Sequence, residues 1–153
     1  MFRLTAAFIL FLTFTSCQNE NEKVLVKDVD GKWKKSVAQT LDFEVNDAGA
    51  DKNLMLVIRN NNEYPYSNLR LIAKMELNKK TISTDTLNFV LAKPNGEWIG
   101  TGFGDTKEIV FPYKVNYKFP KNGKYSFKIT QAMRKDILPG IEDIGIKIQN
   151  LKP

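Results

Sequence analysis

From about Val24 onward, apolar and polar side chains alternate along the chain, and a period of two is typical of β-strands with one buried face. The longest such face runs from Leu69 to Leu77, where every second residue is apolar. The same alternation appears in residues 41–45, 54–58, 84–91, 115–119, 125–129 and 144–148. The pattern therefore predicts seven to eight strands.

The breaks between these segments contain Asn, Asp, Gly and Pro, which favour turns because they adopt backbone conformations that strand residues avoid. They fall at residues 46–49, 78–80, 94–96, 120–123 and 139–140. We predict an all-β protein with little helix, an antiparallel β-sandwich of immunoglobulin-like or jelly-roll-like type. Tyr125 follows a glycine turn, and it is either a tyrosine whose hydroxyl bonds back to a neighbouring loop or a plain core aromatic.

Residues 1–17 carry a different pattern. Arg3 precedes an apolar run over residues 4–14, which is shorter than the roughly 20 residues that a bilayer-spanning helix needs. Cys17 follows this run in an arrangement that resembles a bacterial lipobox, where the thiol is acylated and the signal is cut just before it. We expect a lipoprotein signal peptide at 1–16, acyl chains such as palmitate on Cys17, a tether at 17–23 and one domain at 24–153. The alternative is an ordinary secretory signal with an incidental cysteine.

Composition narrows the chemistry that the chain can perform. The 153 residues include 23 Lys and Arg, 17 Asp and Glu, one Cys and no His, which gives a formal net charge of +6. Without imidazole there is no HExxH zinc site, Ser-His-Asp triad or Cys-His dyad, and one thiol allows no intramolecular disulfide. The lysines are spread along the strands, so nucleic acid is not an expected partner. We expect no metal and no cofactor besides covalent lipid on Cys17, and a binding or structural protein rather than an enzyme.

Three segments differ from plain strands and plain turns. Residues 59–68 are polar with two tyrosines around a proline, residues 96–105 are rich in glycine, and residues 131–136 follow the Tyr125 strand. Tyrosine offers a large amphipathic contact area at low entropic cost, and arginine can bind a carboxylate through two hydrogen bonds. We predict that these segments form a surface that binds another protein. Its candidate residues are Tyr64, Tyr66, Asn68, Trp98, Phe103, Asp105, Gln131 and Arg134.

Each of these features also has a structural interpretation. The tyrosines can fold back onto the core, the glycines can permit bends or close backbone approach, and the arginine can be a solvated charge. A second functional interpretation is a carbohydrate-binding sandwich in which Tyr64, Tyr66 and Trp98 stack on envelope glycan. A hydrolase that uses two carboxylates, such as Glu97 and Asp105, has no motif to support it.

Several longer stretches of the chain carry a family resemblance. They are residues 58–69 (IRNNNEYPYSNL), 84–87 (TDTL), 91–100 (LAKPNGEWIG), 102–105 (GFGD), 123–127 (GKYSF), 131–134 (QAMR) and 140–145 (GIEDIG). Together with the lipobox, these stretches resemble the GldH gliding-motility lipoproteins of the Bacteroidota. The resemblance implies a cell-envelope lipoprotein required for gliding over surfaces, a process coupled to the type IX secretion machinery. It implies other envelope proteins of that apparatus as partners and supplies no catalytic residue.

The residue after the cysteine bears on which membrane holds the anchor. Gln18 does not resemble the Asp that is linked to inner-membrane retention in other bacteria. We therefore expect a lipid-anchored protein of the outer membrane.

Overall fold

The computed structural model describes residues 21–151, which form ten β-strands and no helix. The strands are β1 (Glu22–Asp28), β2 (Lys32–Lys34), β3 (Gln39–Val45), β4 (Lys52–Asn60), β5 (Asn68–Leu77), β6 (Lys80–Val90), β7 (Lys107–Tyr117), β8 (Gly123–Gln131), β9 (Ile137–Pro139) and β10 (Ile141–Asn150). This confirms the all-β prediction, although there are more strands than the predicted seven to eight. Two of the additional strands, β2 and β9, have three residues each and are too short to show an alternating pattern. Within residues 21–151, no helix has the length and apolarity needed to cross a bilayer.

Eight of the strands form two antiparallel sheets, and the other two form a short ribbon. The first sheet has the order β1-β10-β4-β7, the second has the order β3-β8-β5-β6, and the ribbon pairs β2 with β9. Buried side chains from both sheets and from the ribbon meet in one core. The arrangement is therefore a β-sandwich with the ribbon packed against it.

Alternate residues of each sheet point into this core, as the sequence pattern predicts. In β5 the side chains of Leu69, Leu71, Ala73 and Met75 are fully buried. Burial of a large apolar side chain stabilises the fold by about 1.5–3 kcal/mol relative to exposure. Other large side chains that are fully buried include Trp33, Leu54, Leu56, Ile58, Leu91, Tyr125, Phe127, Ile129, Leu138, Ile141, Ile144 and Ile146.

Side chains hold the two sheets together at the side of the sandwich where β6 and β7 are the outer strands. Phe89 of β6 stacks on Phe111 of β7, with 4.4 Å between the ring centroids. Next to them, Tyr113 donates a hydrogen bond to Asp85, and the Lys114 ammonium lies 3.1 Å from the same carboxylate. The Tyr113 hydrogen bond is the main cause of a lowered pKa at Asp85. Asp85 therefore bridges strands of different sheets.

Tyr125 adopts the first of the two arrangements that the sequence allows. Its ring is buried and stacks on Phe43, with 5.7 Å between the centroids. Its hydroxyl donates a 2.7 Å hydrogen bond to the carbonyl of Lys121 in the preceding turn. The residue therefore fills the core and also fixes the turn before β8.

The two ends of the sandwich have different connections. At the turn end, the strands are joined by short segments at residues 46–51, 78–79 and 118–122. The first and last described residues lie at this end, where the Asn150 N–H donates a 2.8 Å hydrogen bond to the Asn21 carbonyl. At the loop end, the connections are longer and run through residues 29–38, 61–67, 91–106 and 132–140.

The sandwich begins earlier in the chain than the sequence suggests. β1 starts at Glu22, which pairs with Gln149 of β10, and the Glu22 carboxylate lies 2.8 Å from the Lys147 ammonium. Glu22 and Lys23 therefore belong to the first sheet, whereas the sequence analysis places them in a tether at residues 17–23. The predicted signal peptide at 1–16 and Cys17 lie outside the described residues.

Candidate functional site

The loop end brings together the three segments that the sequence analysis singles out. The Ser67 carbonyl accepts a 2.7 Å hydrogen bond from the Leu91 N–H, which joins residues 61–67 to residues 91–106. The Arg70 carbonyl accepts a 2.8 Å hydrogen bond from the Ala132 N–H, which holds the segment after β8 against β5. We call the surface formed by residues 61–67, 91–106 and 132–136 the loop surface.

Tyr64 lies beneath the loop surface rather than on it. Its side chain is 3% exposed, and its hydroxyl donates a 2.6 Å hydrogen bond to the Asn68 carbonyl. Burial raises the pKa of the Tyr64 hydroxyl, so it remains a hydrogen-bond donor. The ring packs edge-on against Tyr66 and at a tilt against Trp98, with centroid distances of 5.8 and 6.3 Å. Tyr64 therefore supports the surface from below, in contrast to the predicted direct contact with a partner, because its ring and hydroxyl are both satisfied inside the protein.

Gly140 allows the turn before β10 to pass directly under Tyr64. Its φ is +77°, and a Cβ atom at this position would lie 2.1 Å from the Tyr64 backbone nitrogen. The Asn61 N–H donates a 2.9 Å hydrogen bond to the Gly140 carbonyl, and the Asn61 side-chain amide donates a 3.0 Å hydrogen bond to Glu142. Residues 61–67 are thus held onto the turn by backbone contact, which only glycine permits.

Asn62 links two of the three segments through its side chain. Its amide oxygen accepts a 2.9 Å hydrogen bond from Trp98 Nε1, and its amide nitrogen donates a 3.0 Å hydrogen bond to the Asp105 carboxylate. Trp98 is only partly exposed. Its indole N–H is used in this link, and only part of the ring is accessible at the surface. Asn62 was not among the predicted site residues, because nothing in a run of three asparagines distinguishes the one that bridges two loops.

Phe103 is fully exposed at the tip of the glycine-rich segment. The Lys107 ammonium braces this tip by donating hydrogen bonds to the Gly102 carbonyl, at 3.0 Å, and to the Gly104 carbonyl, at 2.7 Å. A Cβ atom at Gly102 would lie 2.4 Å from the Thr106 carbonyl oxygen, so the loop closes backbone against backbone. The glycines therefore permit the close approach that the sequence analysis describes, and Phe103 projects into solvent from a fixed loop.

Gln131 is buried, with 1% of its surface exposed, which corrects the prediction that it contacts a partner. It follows Ile129 on the inward face of β8, so the strand period places it in the core. Its amide nitrogen donates a 2.8 Å hydrogen bond to the Lys135 carbonyl, and its amide oxygen accepts a 2.9 Å hydrogen bond from the Met133 N–H. Gln131 therefore shapes the corner that follows β8.

Three of the predicted residues, Tyr66, Asn68 and Arg134, line a cavity of about 340 Å³ at one side of the loop end. We call it the arginine cavity, and its lining residues are Tyr66, Asn68, Arg70, Ala132, Met133 and Arg134. Arg70 was not predicted, because in the sequence it is one of several polar residues on the outward face of β5. Register brings it to the site, since its neighbour Leu71 pairs with Gln131.

On the outer face of the first sheet, an arginine fixes the strands that carry the loops. The Arg59 guanidinium lies 2.7 Å from Glu108 and 3.4 Å from Asp143, so it ties β4 to both neighbouring strands. The hydrogen bond that Arg59 donates to Glu108 is the main reason that the pKa of Arg59 is raised. This arginine is therefore already paired within the protein.

Glu97 and Asp105, the two carboxylates that the sequence analysis names, are each engaged in a local contact. Glu97 is exposed and lies 2.9 Å from the Lys93 ammonium, which lowers the pKa of Glu97. A general acid in glycoside hydrolysis needs a raised pKa instead. Within the part of the chain that the structure describes, no group of three or more His, Cys, Asp or Glu residues is arranged to hold a metal ion.

The sequence that forms this sandwich and its loop end is similar to that of known proteins. Residues 24–148 match the family described as GldH lipoprotein. This chain belongs to the GldH lipoprotein family. It is 39% identical over 156 residues to the gliding motility lipoprotein GldH homolog of Christiangramia forsetii, covering 94% of each chain. It is 37% identical over 153 residues to the gliding motility lipoprotein GldH of Flavobacterium johnsoniae, covering 95% of this chain and 92% of that one. The family resemblance drawn from the sequence is confirmed.

Solved structures resemble this GldH-family chain only distantly. Chicken MD-1 complexed with lipid IVa is 15% identical, with 89% of this chain and 95% of that chain covered and a TM-score of 0.38. A family 35 carbohydrate-binding module from Clostridium thermocellum is also 15% identical, with 83% and 92% covered and a TM-score of 0.34. Scores at this level carry no argument about function.

The rings of Tyr64, Tyr66 and Trp98 do not form a flat platform for a sugar. Tyr64 is buried, and its ring plane is inclined by 74° to that of Tyr66 and by 44° to that of Trp98. A stacking site needs exposed rings that a sugar face can cover. The ring geometry therefore does not match the stacking site that the carbohydrate-binding interpretation expects.

Proposed function

We propose that this protein is a lipid-anchored, non-catalytic component of the gliding-motility apparatus and the associated type IX secretion machinery, where it assembles or stabilises other envelope proteins. Membership of the GldH lipoprotein family supports the gliding role and the lipid anchor. One observation carries the docking role. Phe103 stands fully exposed on a braced loop, within a surface built from three separate segments.

Phe103 has the properties of an interface anchor. Burying a phenylalanine side chain contributes about 1.5–3 kcal/mol, and aromatic residues are enriched among those that dominate binding energy. Because Lys107 already fixes the loop, docking costs little further conformational entropy. Ile99, which is 42% exposed in the same loop, extends the apolar contact area. The loop thus presents a preorganised apolar contact to a partner protein.

The position of the proposed anchor supports a loop surface that is accessible to a partner. Cys17 lies only a few residues before Asn21, and the chain enters the sandwich at the turn end. β1 then runs for seven residues towards the loop end, which corresponds to about 23 Å of strand. With the acyl chains of Cys17 inserted in the outer membrane, the loop surface faces away from that membrane. Another envelope protein can reach it there.

Site-specific photocrosslinking in the native envelope tests the docking role. A photoreactive phenylalanine analogue at position 103 of the full-length protein should give an adduct with one envelope protein, identified by mass spectrometry. The matched control is the same analogue at Val115, which is 60% exposed on β7 towards the turn end. The proposal fails when position 103 gives no adduct, or when both positions give the same adducts.

A further inference from the structure

We infer that the arginine cavity binds a carboxylate side chain from an acidic segment of the partner protein. This inference rests on the proposed function and adds the chemistry of the partner. Four of the six residues that line the cavity belong to the loop surface, as Phe103 does, so a partner that covers Phe103 can also fill the cavity. Its two guanidinium groups, on Arg70 and Arg134, supply the charge and the hydrogen-bond donors for a carboxylate.

The ion pairing of the arginines is the first argument for this site. The chain has four arginines, and three of them lie within residues 21–151. Arg59 is paired with two carboxylates, whereas Arg70 and Arg134 are exposed and form no ion pair with any described residue. No acidic residue lines the arginine cavity. Two unpaired guanidinium groups at one cavity repel each other unless an anion joins them, so the site is complementary to negative charge.

The backbone that carries the two arginines is fixed from both sides. The Arg70 carbonyl accepts a 2.8 Å hydrogen bond from the Ala132 N–H, and the Arg70 N–H contacts Met133 Sδ at 3.2 Å. The corner that carries Arg134 is held by the buried side chain of Gln131, which is therefore a positioning residue. Both arginines are thus attached to rigid elements, and binding needs only their side chains to become ordered.

The lining distinguishes a protein segment from a free anion or a lipid headgroup. Tyr66, Ala132 and Met133 add aromatic and apolar surface beside the guanidinium groups, which suits a peptide side chain and the backbone next to it better than a bare phosphate. The cavity lies at the loop end, about 23 Å of strand away from the proposed anchor. Headgroups of the anchoring membrane are therefore out of reach.

The test follows the Nε–H signals of the arginines by NMR while hexaglutamate is added to the full-length lipidated protein, anchored in nanodiscs of uncharged lipid. We expect the Arg70 and Arg134 signals to shift and the Arg59 signal, whose arginine is already paired, to stay. Hexaglutamine, inorganic phosphate and phosphatidylglycerol vesicles serve as comparison probes. Arg70→Gln and Arg134→Gln should each weaken hexaglutamate binding at least about tenfold.

Lys74→Gln is the matched control, since Lys74 carries the same charge on β5 outside the cavity. It should weaken binding less than about threefold, because a charge outside the cavity contributes little. The inference is overturned when hexaglutamate shifts neither cavity arginine, when Lys74→Gln weakens binding as much as Arg70→Gln, or when only phosphate or the vesicles shift the two signals. The Arg70→Gln/Arg134→Gln variant distinguishes the two proposals. If its adduct at position 103 is unchanged, the docking role is supported and the carboxylate site alone is refuted.

Discussion

Replacing Gly140 by Ala tests whether close backbone approach holds the loop surface in place. The new Cβ atom would lie 2.1 Å from the backbone nitrogen and 2.5 Å from the Cα atom of Tyr64, and backbone atoms cannot rotate away as a side chain can. The φ of +77° adds about 1–2 kcal/mol for a residue other than glycine. Moving residues 61–67 to relieve the overlap adds the roughly 1–3 kcal/mol that is typical of overpacking. We therefore expect the free energy of unfolding to fall by about 2–5 kcal/mol.

Alanine substitutions at two other glycines allow the backbone strain and the steric overlap to be measured separately. Gly96 has a φ of +87° with no atom within 4 Å of its Cβ position, so Gly96→Ala should lose only the backbone term of about 1–2 kcal/mol. Gly49 has neither a positive φ nor a close neighbour, so Gly49→Ala should be neutral or stabilise the fold by about 0.4–1 kcal/mol. The three variants are compared by urea unfolding monitored by circular dichroism, with the slope m checked for constancy. An equal loss in Gly140→Ala and Gly96→Ala would refute the close-approach argument.

Three further predictions concern the bridge, the anchor and the exposed tip. Asp85→Asn should lower the free energy of unfolding at pH 7 by about 1 kcal/mol, because the charge that bonds Tyr113 and Lys114 is lost. The lowered pKa of Asp85 means that its contribution is present above the unfolded pKa of about 3.9 and is lost as the pH falls through the folded value. Acid titration of stability below pH 4 should accordingly be shallower in this variant. Cys17→Ser should abolish incorporation of labelled palmitate and release the protein from the membrane fraction, whereas retention of label would exclude this anchor. Phe103→Ala should leave the urea midpoint within error, since the side chain contacts only solvent, and should reduce colony spreading on agar.

Much of the sandwich is predictable because its strands bury one face each. The alternation in residues 69–77 identifies the inward side chains of β5 without any knowledge of its neighbours. The ribbon strands β2 and β9 are not predictable in this way, since three residues cannot establish a period. Their stability comes from Trp33 and Leu138, which pair with each other and are buried under the loop end. That contact joins residues far apart in the chain, so it depends on the fold rather than on local pattern.

The candidate site is predictable as a set of segments but not as a set of exposed side chains. Tyr64 and Tyr66 are separated only by a proline, yet one is buried and the other lines the arginine cavity. The difference arises from Gly140, which brings a distant turn under Tyr64. Gln131 was the avoidable error, because extending the period of β8 by one more step from Ile129 predicts its burial.

The contacts at the loop end divide into those that fix the backbone and those left for a partner. The side-chain hydrogen bonds that join or brace the segments come from Asn62, Gln131 and Lys107. Phe103 and Arg134, carried by these braced segments, form no ion pair or ring contact with any residue in 21–151. A rigid backbone lowers the entropic cost of binding. The exposed side chains that it carries leave apolar area and charge for a partner to cover. The partner proposed here, with an apolar pocket and an acidic segment, would cover the exposed Phe103 ring and the Arg134 guanidinium, whereas Tyr64 is already satisfied inside the protein.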